Sequence, residues 1–178
     1  METIKPKLRK YRLFFVWQHE EEEQWLNEMS AQGYQLVKVG FCSYLFEQGS
    51  PNEYIYRLEL LDQLPSHPDS LAYLRFLEET GIEHIGSMLR WVYYRKKADQ
   101  GAFDLYSDID SKIRHFNRMR GMLLLVSIVN VPLFISNLSG DMPVFNIVFL
   151  LIFVLFLTGV LKISGKIRKL EKEKRLRE

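Results

Sequence analysis

Three apolar rhythms follow one another along this chain. From Tyr11 to Lys96, short runs alternate apolar with polar residues, and two stretches of helical spacing interrupt them. From Gly121 to Leu161 the polar residues nearly vanish: Gly121 to Gly140 and Met142 to Leu161 carry no charged side chain, and Asp141 alone separates them. Beyond that, Ile163, Ile167 and Leu170 recur at the spacing of one helix face.

The first rhythm predicts a doubled unit. Tyr11, Leu13, Phe15 and Trp17 alternate as a strand does, and Glu20 to Gln32 reads as a helix with acids in its first turn and Gly33 as its stop. Strands are expected over 34–39 and 41–47, ended by Gln48-Gly49-Ser50-Pro51-Asn52. The order then recurs: a strand over 53–60, a helix from Pro68 to Thr80 stopped by Gly81, and strands over 82–87 and 89–96. An offset of 48 lays Trp25-Leu26 on Tyr73-Leu74, Gly33 on Gly81, Val37 on Ile85 and Leu45-Phe46 on Tyr93-Tyr94 without a gap, while Tyr11-Arg12-Leu13 echoes Tyr56-Arg57-Leu58. One internal duplication accounts for this. The fold class expected is α+β, a duplicated strand-helix-strand-strand head with an antiparallel sheet, followed by a two-helix transmembrane hairpin.

Each uncharged stretch spans about 30 Å as a helix, the thickness of a bilayer's hydrocarbon core. A soluble core built on two such helices would need more covering protein than 178 residues supply. The boundaries expected are a head over 1–103 (units about 8–50 and 53–98), a juxtamembrane helix over 104–120, spans over about 121–139 and 143–162, and a basic tail over 163–178. Ser107 with Asp110 reads as a capping box. Ile109, Ile113 and Phe116 then continue as a stripe that meets Ile163, Ile167 and Leu170, so both spans are expected to extend and pair as a stalk. Ser164-Gly165 is a weak point in the second extension, and Pro132 is a place for the first span to kink.

Charge sets the expected orientation. Residues 1–108 carry 12 Lys+Arg against 17 Asp+Glu, a net of −5, whereas 162–178 carry eight basic and three acidic residues, a net of +5. Lys112, Arg114, Arg118 and Arg120 before the spans, and Lys162, Lys166, Arg168 and Lys169 after them, form two basic collars. Such collars stay cytoplasmic and bind anionic headgroups, and the loop 139–143 has no basic residue to hold it inside. The expectation is a multi-pass protein of the inner (plasma) membrane with both termini cytoplasmic. The apolar run from Leu13 to Trp17 is too short for a signal peptide. An acidic head argues against direct nucleic-acid binding.

Candidate chemistry is sparse. The chain holds 12 Phe, 9 Tyr and 3 Trp, mostly in the head; these rings either build core and cross-strand pairs or line an apolar cleft. The candidate ligand or partner face is Tyr54, Tyr56, Glu59, Trp91 and Tyr93. Glu59 is expected to pair with Arg12, Arg57 or Arg90. His19 and Glu23 stand four apart but supply only two ligands, and the run Glu20 to Glu23 complements a helix dipole, so no metal is expected. His84 reads as a half-buried, hydrogen-bonded strand residue. The lone Cys42 excludes an intrachain disulfide and packs as a small hydrophobe. No phosphate loop, nucleophile elbow or paired-Cys motif occurs, so neither catalytic residue nor cofactor is expected. Asn130, near mid-span, is expected to hydrogen-bond a neighbouring helix, its symmetry mate in a homodimer being one such helix.

The doubled order resembles, by topology alone, bacterial effector-binding domains of the drug-sensing kind. More specifically, Lys10-Tyr11-Arg12-Leu13-Phe14-Phe15, Glu53-Tyr54-Ile55-Tyr56-Arg57-Leu58, Trp91-Val92-Tyr93-Tyr94-Arg95-Lys96 and Phe103-Asp104-Leu105-Tyr106-Ser107-Asp108 resemble domain-of-unknown-function family 2812, a group of Firmicutes-type membrane proteins. The resemblance covers nearly all of residues 8–120. It implies a cytosolic head with a C-terminal membrane hairpin, often encoded beside a PadR-type repressor, and supplies no catalytic residues. The function expected is that of a non-enzymatic, membrane-anchored regulator or sensor whose head binds a partner protein, with a repressor as one such partner. The alternative is a receptor for a small amphipathic molecule or lipid using the aromatic face.

Overall fold

The computed structural model describes residues 6–106, 108–137 and 143–177. The loop expected to turn between the spans, and Ser107 of the expected capping box, lie outside the described residues. Two compact units, 1–105 and 106–178, make up the chain.

The head comprises β1 (Lys7–Tyr11), α1 (His19–Ala31), β2 (Tyr34–Gly40), β3 (Ser43–Gln48), β4 (Tyr54–Leu60), α2 (Pro68–Glu79), β5 (Ile82–Met88) and β6 (Trp91–Lys97). They form two three-stranded antiparallel sheets, ordered β1-β3-β2 and β4-β6-β5. The duplication is visible in detail. Each sheet carries one register shift, between Leu36 and Lys38 in the first and between His84 and Gly86 in the second, again 48 residues apart. Gly33 and Gly81 each follow a helix with φ near +80°, where a side chain would be strained. Leu26 and Leu74 are buried at matching places, as are Phe46 and Tyr94.

Two differences from the sequence expectation are informative. The alternation at Tyr11, Leu13, Phe15 and Trp17 does not continue the first strand: β1 ends at Tyr11, and Val16–Gln18 forms a one-turn 3-10 helix. Tyr11 and Leu13 are exposed, so their alternation reports no buried face. Both hairpin turns, Phe41-Cys42 and Leu89-Arg90, were expected inside strands, because apolar residues occupy positions where Gly or Asn is usual. Cys42 and Leu89 adopt φ of 51° and 56° there.

The main core gathers Leu26 and Met29 of α1, Leu36 and Val39 of β2, Tyr44 and Phe46 of β3, Tyr56 and Leu58 of β4, and Tyr93 of β6. α1 thus packs on the first sheet and reaches the second. A smaller core joins Leu74 and Leu77 of α2 to Val92 and Tyr94 of β6 and to Phe103.

The second unit consists of α3 (Ile109–Asn137) and α4 (Pro143–Arg177). Asp108 caps α3, its carboxylate accepting the Ser111 N–H at 2.6 Å. The expected juxtamembrane helix and first span are therefore one continuous helix, and α4 runs unbroken through Ser164-Gly165. Both helices are long and apolar enough to cross a membrane. They pack antiparallel: Lys174 Nζ lies 2.8 Å from Asp110, and Lys166 Nζ sits 5.6 Å from the Phe116 ring centre. Phe116, Met119, Leu123, Val160, Ile163 and Ile167 are buried along the seam. At 1.5 Å per residue, α3 is about 44 Å long and α4 about 52 Å, so each exceeds the hydrocarbon core by a polar extension. Asn130 donates to Val126 O of its own helix.

Candidate functional site

The four-glutamate run of α1 divides by helical periodicity. Glu20 and Glu21 face out, whereas Glu22 is buried and Glu23 half-buried. Glu22 Oε1 accepts hydrogen bonds from the hydroxyls of Tyr44 and Tyr93, each at 2.7 Å, so one carboxylate oxygen ties α1 to both sheets. Burial pushes the Glu22 carboxyl above its ordinary pKa, and the two phenol donors partly offset that. Burial beside this carboxylate also pushes both tyrosines far up.

Glu23, Asn27 and Ser30 stand at i, i+4 and i+7 and face the outer edge of β4. Glu23 Oε1 accepts the Leu58 N–H at 2.8 Å. Asn27 Oδ1 accepts the Tyr56 N–H at 2.8 Å, and its Nδ2 donates to Tyr56 O at 3.2 Å. Ser30 Oγ donates to Tyr54 O at 2.7 Å. Three side chains of one helix therefore stand in for a missing seventh strand and close an edge that would otherwise invite pairing. Burial raises the Glu23 carboxyl to about 7, against the opposing pull of the Leu58 N–H and Arg57.

The expected ligand face lies mostly inside. Tyr56 and Tyr93 are fully buried core residues, Glu59 is buried, and Tyr54 and Trp91 are half-buried against the main core. The Tyr56 hydroxyl accepts the Leu36 N–H and donates to Gln35, and burial pushes its pKa up to about 12. Glu59 accepts from the Tyr73 and Tyr94 hydroxyls at 3.1 and 3.4 Å, so each half of the head buries a carboxylate between two tyrosines. The arginines expected beside Glu59 also make contacts of their own. Arg57 lies 4.0 Å from Glu23, Arg90 Nε donates to Leu61 O, and Arg12 sits over the rings of Phe14 and Trp25.

His84 bonds Ser87 Oγ at 2.8 Å, as a half-buried strand histidine. His19 is buried against Trp91, while the Glu23 carboxylate bonds β4, and no group of three metal-ligating side chains occurs among the described residues. A cleft of about 380 Å³ lies over Glu78, Gly81, Ile82, Glu83, His84, Lys97 and Gln100, a polar lining away from the expected aromatic face. Of the basic collars, Arg114, Lys162, Arg168 and Lys169 are exposed, and Lys112, Arg118, Arg120 and Lys166 are half-buried along the helix pair.

Sequence reasoning missed the inward pair Glu22 and Glu23. Their signal was the 100° step between successive helical residues, which no single helix face can accommodate over four glutamates.

No curated protein and no solved structure matches the chain. A family model does, over residues 18–128, taking in the head from α1 onward and about two-thirds of α3. By that match the chain belongs to the family described as "Protein of unknown function (DUF2812)".

Proposed function

We propose that this protein is a membrane-anchored, non-enzymatic regulator or sensor. Its head lies in the cytoplasm at the inner membrane and binds a basic partner protein. The observation that carries this reading is the distribution of acids over the two head helices. Glu20, Glu21 and Glu28 of α1, with Asp69, Glu78 and Glu79 of α2, are all exposed on a head whose residues 1–105 carry a net charge of −4. Such a surface steers a cationic partner and sets its on-rate. A DNA-binding repressor of the PadR type has that chemistry, and sequestering it at the membrane would be the regulatory act. The collars around α3 and α4 support an inward-facing hairpin with both termini cytoplasmic.

The test is recovery of partners with tagged full-length protein extracted in mild detergent. A basic protein that co-purifies, is released by salt, and is lost from the Glu20→Lys/Glu21→Lys/Glu28→Lys variant supports the reading. No stable protein partner sinks it. An amphipathic ligand carried through purification instead would favour the receptor alternative. For orientation, Arg177→Cys should resist an impermeant maleimide on intact cells, and ready labelling would reverse the topology.

A further inference from the structure

Apolar side chains exposed singly are ordinary on a protein surface. On this head Leu64, Leu71 and Phe76 are exposed in and before α2, but the four most exposed gather at one end. Tyr11 is 74% exposed and Leu13 60%, while Phe41 and Leu89, at the two hairpin turns, are 84% and 80% exposed. Tyr11 pairs with Ser43 beside the first turn, and the Arg12 N–H donates to Cys42 O, which holds the segment leading to Leu13 against that turn.

The second turn emerges at the same end. β2 and β5 run side by side in one direction. Arg95, the cross-strand partner of Glu83, donates to Leu36 O, and three residues further on Val39 lies against Gly86. The shared Glu22 carboxylate joins Tyr44 and Tyr93, both just past their turns. Phe41 and Leu89 are also 48 residues apart, so each half of the duplication ends its hairpin on an apolar point.

The charge beside this end runs against the rest of the head. Cross-strand partners share a face, and the row Leu8, Phe46, Leu36 points inward onto the core. The neighbouring row Arg9, Leu45, Lys38 therefore points outward, followed by Tyr11, Ser43 and Gly40. Arg9 and Lys38 are exposed on either side of Leu45. α1, with its acids, lies across the opposite face of this sheet. An acidic head thus has one sheet face that carries Lys7, Arg9 and Lys38 against the one acid Glu47, and leads to an apolar tip.

We propose that this face is a second membrane contact. The outer face of the first sheet lies on an anionic bilayer surface, with Phe41, Leu89, Tyr11 and Leu13 entering the headgroup region and Arg9 and Lys38 pairing with lipid phosphates. Aromatic rings and snorkelling cations are the residues that favour that boundary. Apolar points on two separate turns suit a fluid interface, which needs no matching pocket. The inference rests on the reading that α3 and α4 span a bilayer, which keeps such a surface within reach. It leaves the acidic sides of α1 and α2 free for a protein.

The test uses Phe41→Trp and Leu89→Trp in the full chain, reconstituted into nanodiscs whose lipids are brominated along the acyl chains, with the parent as background for its three tryptophans. Entry of the parent into discs checks the spanning reading separately. In discs containing phosphatidylglycerol, each introduced indole should emit to the blue and be quenched by bromine. Each cation removed from an anionic surface is expected to lower the docked-to-free ratio about fivefold, so Arg9→Gln/Lys38→Gln in the Phe41→Trp background should abolish most of the quenching, as should purely zwitterionic discs. An indole that stays water-exposed and unquenched in anionic discs overturns the proposal, including when a protein partner later covers it. Quenching indifferent to both lipid charge and the two cations overturns the electrostatic half.

Discussion

Replacing Asn27 by alanine removes the centre of the seal that α1 lays along β4. The Tyr56 N–H loses its acceptor at 2.8 Å in a fully buried residue, while the Tyr56 carbonyl loses the donor at 3.2 Å but keeps Arg57 Nη1 at 2.8 Å. The one backbone group left without a partner, the N–H, costs about 1–3 kcal/mol. Alanine returns about 0.6 kcal/mol through its better helix propensity. A net loss of about 1–2 kcal/mol is expected, which for a domain near 100 residues lowers Tm by about 4–15 °C. The control is Gln24→Ala, one turn away on the exposed side, where the side chain bonds only Glu28 and the cost should stay within about 0.5 kcal/mol. All three tryptophans lie in the head, so near-UV circular dichroism of the detergent-solubilised protein reports head unfolding with little contribution from α3 and α4. If Asn27→Ala melts with Gln24→Ala and the wild type, the edge-sealing argument is wrong, and apolar packing alone holds α1 in place.

Three further outcomes are expected. Because burial holds Glu23 protonated to about pH 7 in the folded head while the unfolded carboxyl ionises near 4.5, its contribution is complete below 4.5 and is lost as pH rises towards 7. Glu23→Gln keeps the acceptor for Leu58, so thermal melts should show the variant more stable than wild type at pH 8, by on the order of 2–3 kcal/mol, with no such gain at pH 4.5. Gly33→Ala and Gly81→Ala both force alanine to positive φ, at about 1–2 kcal/mol. Gly33→Ala should cost more, since its Cβ would meet the Gly49 carbonyl at 3.0 Å, whereas at Gly81 the same distance is to the movable end of Gln100; equal denaturation midpoints would refute the ranking. On a Cys42→Ser background, Asp110→Cys with Lys174→Cys should cross-link through a short bismaleimide within one chain, and failure to do so would deny the antiparallel pairing of α3 with α4.

The parts of the fold legible in the sequence were those with a local cause. Gly33 and Gly81 stop helices because the backbone beyond them turns left-handed, and the uncharged stretches identify long apolar helices whatever surrounds them. The unread parts depend on distant partners. Glu22 and Glu23 look like solvated helix-start charges until Tyr44, Tyr93 and the edge of β4 are brought beside them. Tyr56 and Tyr93 could have lined a cleft or filled a core, and only the packing of α1 against two sheets decides for the core. The hairpin turns were misread because Phe41 and Leu89 have the character of strand residues, and nothing local distinguishes an apolar turn from an apolar strand.

The seal on β4 also bears on how the chain could have arisen. The residues of α2 that correspond to Glu23, Asn27 and Ser30 are Leu71, Arg75 and Glu78, and all three are exposed. The first half thus lends its helix to the second, and the second does not return the favour. A polypeptide cut between the halves would strand one partner without its cover, so fragment complementation, in which two separately inactive pieces reassemble, is the behaviour this lopsided kinship foretells.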